Sequence, residues 1–114
     1  MAKLPNADQA RIPEAKITRY LLSLTSRGGR AKARFFTAFG FTIEGWEALA
    51  EALRQHALSH EVAGTRETAY GVHYRVEGPL ETPDGRNPGV RSVWKIERDD
   101  TIPGLITAYP LKEE

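Results

Sequence analysis

Hydrophobic positions along this chain change period once, from helical spacing before His60 to strict alternation after it. Ile17, Tyr20, Leu21 and Leu24 form one apolar stripe of a first helix that starts near Pro13 and ends before Gly28. Proline fits the first helical position, and Glu14 suits the positive end. A short second helix carries Phe35, Phe36 and Phe39 and stops around Phe39-Gly40. The third has Trp46, Leu49, Ala50, Leu53 and Ala57 on one side. Thr42 is its expected N-cap, Glu44 and Glu47 lie in its opening turns, and Arg54, His56 and His60 suit its negative end.

Beyond His60, Val72, Tyr74 and Val76 alternate with His73, Arg75 and Glu77, and Val90, Ser92, Trp94 and Ile96 alternate with Arg91, Val93, Lys95 and Glu97. Pro83-Asp84-Gly85 makes a turn between these strands, a weaker strand from Val62 to Glu67 opens the sheet, and the Asp99-Asp100 loop leads through Pro103 into a last strand from Leu105 to Tyr109. The predicted fold class is α+β, with about three N-terminal helices packed on one face of an antiparallel sheet of about four strands. The other sheet face would then expose His73, Arg75, Arg91 and Lys95, provided the registers agree.

With 114 residues the chain reads as a single domain, 1–114, with one core. It has no cysteine, which excludes a disulfide framework and thiolate metal sites and is compatible with a reducing cytoplasm. No apolar run approaches bilayer length and the N-terminus lacks a secretory signal, so the expectation is a soluble cytoplasmic protein without membrane partners. No repeat or low-complexity tract is visible, and disorder is expected only at Lys112-Glu113-Glu114. A formal charge of +1 gives no global field for polyanions, so any anion site must be local.

Such a locality exists. Arg27, Arg30, Lys32 and Arg34 surround the expected start of the second helix with no acid among them, although that end already carries partial positive charge. Gly28 and Gly29 ahead of it would let backbone N–H groups approach a phosphate or carboxylate. Helical phase puts Lys32 among Phe35, Phe36 and Phe39, with its side chain leaning back over Gly28-Gly29, either as an acid or anion clamp or as a lysine snorkelling to water over Phe36.

Among acid–base candidates, His56 and His60 are spaced for chelation but lack a third ligand, which favours helix-end stabilisation. His73 on the polar strand face would suit a general base or phosphate contact. Arg91 and Lys95 suit phosphates or cross-strand pairing with Glu77 or Glu97. Thr107 and Tyr109 are expected to share one face of the last strand with Leu105 and would position a phosphodiester, unless Thr107 is simply a packed residue among core residues. No nucleotide-binding glycine loop, nucleophile elbow or acidic metal cluster occurs.

Four segments together resemble a bacterial domain-of-unknown-function family found alone and at the C-termini of polymorphic and phage-head-linked toxins. They are Leu4-Pro5-Asn6-Ala7; Lys32-Ala33-Arg34-Phe35-Phe36 with Gly40-Phe41; Val90-Arg91-Ser92-Val93-Trp94; and Pro103-Gly104-Leu105-Ile106-Thr107-Ala108-Tyr109-Pro110. The toxin setting and the helices-then-sheet layout are similar to compact metal-independent ribonucleases of the barnase and colicin type. That likeness implies substrate-binding and catalytic roles for Lys32, Arg34, Arg91, Thr107 and Tyr109. This chain departs from the family pattern at Ala31, where a histidine often precedes the lysine, at Ser92 for threonine and at Gly104 for arginine. The missing histidine removes a general base, so this copy would be attenuated, inactive or dependent on His73.

The resulting expectation is a small endoribonuclease-like toxin domain acting on RNA without metal or cofactor. Lys32, His73 and Thr107 are its catalytic candidates, and Arg30, Arg34, Arg91 and Tyr109 its substrate-binding candidates. The alternative is a non-catalytic module whose basic groove binds an anionic partner, either nucleic acid or a cognate immunity or antitoxin protein.

Overall fold

The change of period at His60 is a change of layer. A computed structural model describes residues 2–111, so the expected disordered tail at Lys112 to Glu114 lies outside the described residues. Helix α1 (Glu14–Lys16) runs directly into a π-helical turn (Ile17–Leu21), and α2 (Arg30–Ala38) and α3 (Trp46–Ser59) follow. Strands β1 (Val62–Thr68), β2 (Gly71–Pro79), β3 (Gly89–Glu97) and β4 (Gly104–Pro110) form one antiparallel sheet in the order β1-β2-β3-β4. The α+β layout is the one the periodicity predicts, and the helices cover one sheet face.

Alternation decides which face. Val76, Val90, Ser92, Trp94, Leu105 and Ala108 are buried against Ile17, Leu21, Phe36, Leu49 and Leu53. The register Glu77↔Arg91↔Tyr109, Arg75↔Val93↔Thr107 and His73↔Lys95↔Gly104 puts the intervening residues together on the opposite face. A register shift between Val93 and Trp94 absorbs Ile106, so Leu105 does not share the face of Thr107 and Tyr109 as simple alternation expects: the bulge lets both Leu105 and Ala108 reach the core while Thr107 and Tyr109 face outward. The expected outer-face set of His73, Arg75, Arg91 and Lys95 is therefore real.

The first helix departs from expectation. The Leu22 N–H donates to the Ile17 carbonyl at 2.8 Å, a five-residue step that advances the helical phase. Leu21 and Leu22 are both buried as a result, whereas Leu24 falls past the end of the helix and is 55% exposed. Thr42 accepts the Gly45 N–H at 3.0 Å, so it caps the turn ahead of α3 rather than the helix itself. The Pro83-Asp84-Gly85 turn forms, with the Gly85 N–H donating to the Thr82 carbonyl and Gly85 at φ +79°.

Residues 2–13 tie the layers together. Asn6 adopts a left-handed backbone (φ 53°), its side-chain amide donates to the Thr101 carbonyl at 2.8 Å, and Leu4 and Ala7 beside it are buried. The Arg11 N–H donates to the Pro103 carbonyl, and the Arg11 carbonyl accepts from Leu105. This short parallel bridge to Gly104 closes the beginning of the β4 edge and launches α1 along that strand. Arg11 also pairs with Asp100 at 2.7 Å. That ion pair, with the Ile102 and Thr101 N–H groups, holds the Asp100 carboxyl at about 2.

Candidate functional site

The π-turn delivers Tyr20 to the edge of β4, where its hydroxyl lies 3.1 Å from Thr107 Oγ1. Two ammonium groups attend the same ring: Lys32 Nζ from α2 at 5.3 Å from its centre and Lys16 Nζ from α1 at 5.7 Å. Burial alone would push the Tyr20 phenol up. Hydrogen bonding with Thr107 and Lys32, together with the charges of Lys32 and Lys16, outweighs burial and holds it below the ordinary tyrosine value.

Lys32 leans back as its helical direction predicts, its Nζ donating to the Gly28 carbonyl at 3.2 Å. Gly29 also has a packing reason. A Cβ at Gly29 would strike the Tyr20 carbonyl oxygen, and one at Gly28 would stand 3.4 Å from Tyr20 Cε1. Gly29 is required because the loop backbone there lies directly against the Tyr20 carbonyl. At the start of α2, Ser26 receives the Gly29 N–H through its hydroxyl and the Arg30 N–H through its carbonyl. The Ala31 and Lys32 N–H groups have no backbone acceptor among the described residues, and the first turn contains no acid. Arg30, Ala31 and Arg34 are exposed around that end.

The remaining candidates lie on the outer sheet face. Arg91 is half-buried, bonded through Nε to Glu77 at 2.7 Å and through Nη1 to the Tyr109 hydroxyl at 3.3 Å. Lys95 stands 3.4 Å from Glu97. Thr107 and Tyr109, two residues apart on one face of β4, join the Tyr20 cluster to the Arg91 cluster. His73 does not join them. It stands across from Lys95 on β2, two strands away from β4, roughly 10 Å at ordinary strand spacing.

Lys32 and Thr107 thus meet through Tyr20, a residue that sequence reasoning assigned to the apolar stripe. Lys16 was missed as well. The available signal for Tyr20 was a phenol among aliphatic residues, whose hydroxyl needs a partner when half-buried.

His56 requires a correction. It does not stabilise a helix end by its charge but is 2% exposed inside the core. Its Nε2–H donates to the Gly78 and Val90 carbonyls, both at 3.0 Å, which leaves Nδ1 to accept from Ser92 Oγ at 2.9 Å. Ser92 in turn accepts the Trp94 Nε1–H at 2.8 Å. Desolvation holds the imidazole below its ordinary value, and both ring nitrogens are committed. His60 donates to the Pro79 carbonyl at 2.9 Å. Among the described residues, no group of three or more His, Cys, Asp or Glu is placed to hold a metal ion, and no helix is long and apolar enough to cross a membrane.

No curated protein matches this chain. Among solved structures, a chain of the contact-dependent growth inhibition toxin–immunity protein complex from Klebsiella pneumoniae 342 is similar to it, with a TM-score of 0.69 and 20% identity over 88% of this chain and 98% of that one. That likeness is one of fold. Residues 3–112, which hold every element and both polar clusters, match the family model of a domain of unknown function, DUF6883, and the chain belongs to that family.

Proposed function

We propose that this domain is a toxin-type module that acts on RNA, gripping a phosphodiester where the start of α2 meets the β4 edge. The observation that carries this reading is the cluster of Lys32, Tyr20 and Thr107. Two ammonium groups and two hydroxyls converge there beside two uncommitted backbone N–H groups, with no carboxylate among them. Arg30 and Arg34 flank the cluster, and the outer sheet face, with Tyr109 and Arg91, offers a path for the neighbouring nucleotides. Such a site needs no metal ligand set, because lysines supply the charge that stabilises the phosphoryl oxygens. The likeness to a chain of a toxin–immunity complex supports the toxin setting.

A second reading has its own support. Arg91 is already neutralised by Glu77, and Lys95 stands beside Glu97, so the centre of the open face carries mixed charge. Mixed charge fits an interface with a partner protein, such as an immunity protein, better than a polyanion. Induction of the chain in a bacterial host, beside Lys32→Ala and Ala31→His, separates the two. The RNA reading expects slowed growth and degraded total RNA that depend on Lys32. Normal growth and intact RNA in all three strains would leave the protein-binding reading in its place.

A further inference from the structure

We infer that the Tyr20 phenol is the proton acceptor of this site, taking the proton of an RNA 2′-hydroxyl while Lys32 and the start of α2 hold the adjacent phosphate. The inference rests on the RNA reading above.

Three observations carry it. First, the groups facing the phenol are Thr107 from β4, Lys32 from α2, Lys16 from its own helix and the Gly28 backbone of the intervening loop, so nothing at the ring competes as a base. His73 is two strands away, and both nitrogens of His56 are spent in the core. Second, the hydroxyl is aimed. Thr107 Oγ1 fixes its direction, and a Cβ at Gly28 would already reach the ring edge at 3.4 Å. Third, among the described residues cations stand around it without an acid, the environment that stabilises a phenolate, and the phenol pKa, held below its ordinary value, agrees with that geometry.

The step balances without any further reagent. The phenolate oxygen of Tyr20 takes the 2′-hydroxyl proton, and the 2′-oxygen forms a bond to phosphorus. The bond from phosphorus to the 5′-oxygen breaks, and that oxygen leaves with a proton from the Lys32 ammonium. The products are a 2′,3′-cyclic phosphate and a 5′-hydroxyl end. Proton return from the phenol to the lysine amine through water restores the site. The Thr107 hydroxyl donates to the phenolate before the transfer and keeps its hydrogen bond to the phenol after it.

The test uses the whole chain as wild type and Tyr20→Phe, each first shown to fold by circular dichroism, with a labelled RNA and a DNA of the same sequence. The expected result is cleavage of RNA and not DNA by the wild type, cyclic-phosphate ends, and a loss of at least ~100-fold in Tyr20→Phe with RNA binding retained. Equal cleavage by the two proteins, or 5′-phosphate ends, overturns the inference and leaves the RNA reading standing. A wild type that binds RNA without cutting it, or does neither, removes the catalytic reading and the inference together. Ultraviolet titration gives a readout independent of turnover. The wild type should show one tyrosine ionising below the ordinary range, a step missing from Tyr20→Phe, and its absence from the wild type overturns the inference.

Discussion

Two polar clusters are built on neighbouring strands of one sheet, and they end differently. On the helix-covered face, Trp94, Ser92 and His56 form a chain in which every donor finds an acceptor inside the fold. At the β4 edge, Tyr20 and Thr107 satisfy each other, yet the lysines, arginines and N–H groups around them have no compensating carboxylate among the described residues. The closed cluster is architecture. It orients α3 on β2 and β3, and its low dielectric would penalise any member left without a partner. The open cluster is incomplete by the same standard, and in the proposed reading an anion from outside would complete it.

Breaking the closed cluster should have the larger effect on stability. Trp94→Ala removes a fully buried ring and is expected to cost about 3–5 kcal/mol, read by urea unfolding. His56→Leu leaves the Ser92 hydroxyl and two buried carbonyls without their partner and should cost about 1–3 kcal/mol. The same imidazole gives the wild type a pH signature. Its folded value lies below the unfolded one, so the unfolded chain binds the extra proton, and stability is fully present above about pH 6.5 and declines as pH falls below it. The loss over that window should be shallower in His56→Leu.

The open cluster should give the opposite profile. Tyr20→Phe should lose one half-buried hydrogen bond, about 0.5–1.5 kcal/mol of stability, while lowering the proposed RNA cleavage at least ~100-fold. Arg34→Gln, at an exposed position, should shift stability by no more than about 0.5 kcal/mol and should weaken RNA binding with a shallower salt dependence. Large functional losses from Trp94→Ala at preserved fold, or large stability losses from Arg34→Gln, would erase the contrast.

What the sequence made legible follows from local physics. Alternation located β2, β3 and β4 and assigned the faces of β2 and β3, but simple alternation put Leu105 with Thr107 and Tyr109, which the bulge at Ile106 separates; helical phase foretold that Lys32 would lean over Gly28. The features that escaped depend on contacts far apart along the chain. Tyr20 and Thr107 are separated by 87 residues, and His56 and Ser92 by 36. Nothing in an i, i+4 histidine pair distinguishes an exposed helix end from a core position. The π-turn was equally silent, because one added residue of phase leaves the same apolar letters in the same order, and only packing reveals that Leu22 is buried while Leu24 is not.

The most direct measurement of the central claim is cleavage of a labelled single-stranded RNA by the purified chain, wild type beside Lys32→Gln at matched folded concentration. The account predicts that the wild type cuts and that Lys32→Gln cuts at least ~100-fold more slowly. RNA left intact by both proteins, or cut equally by both, would contradict it.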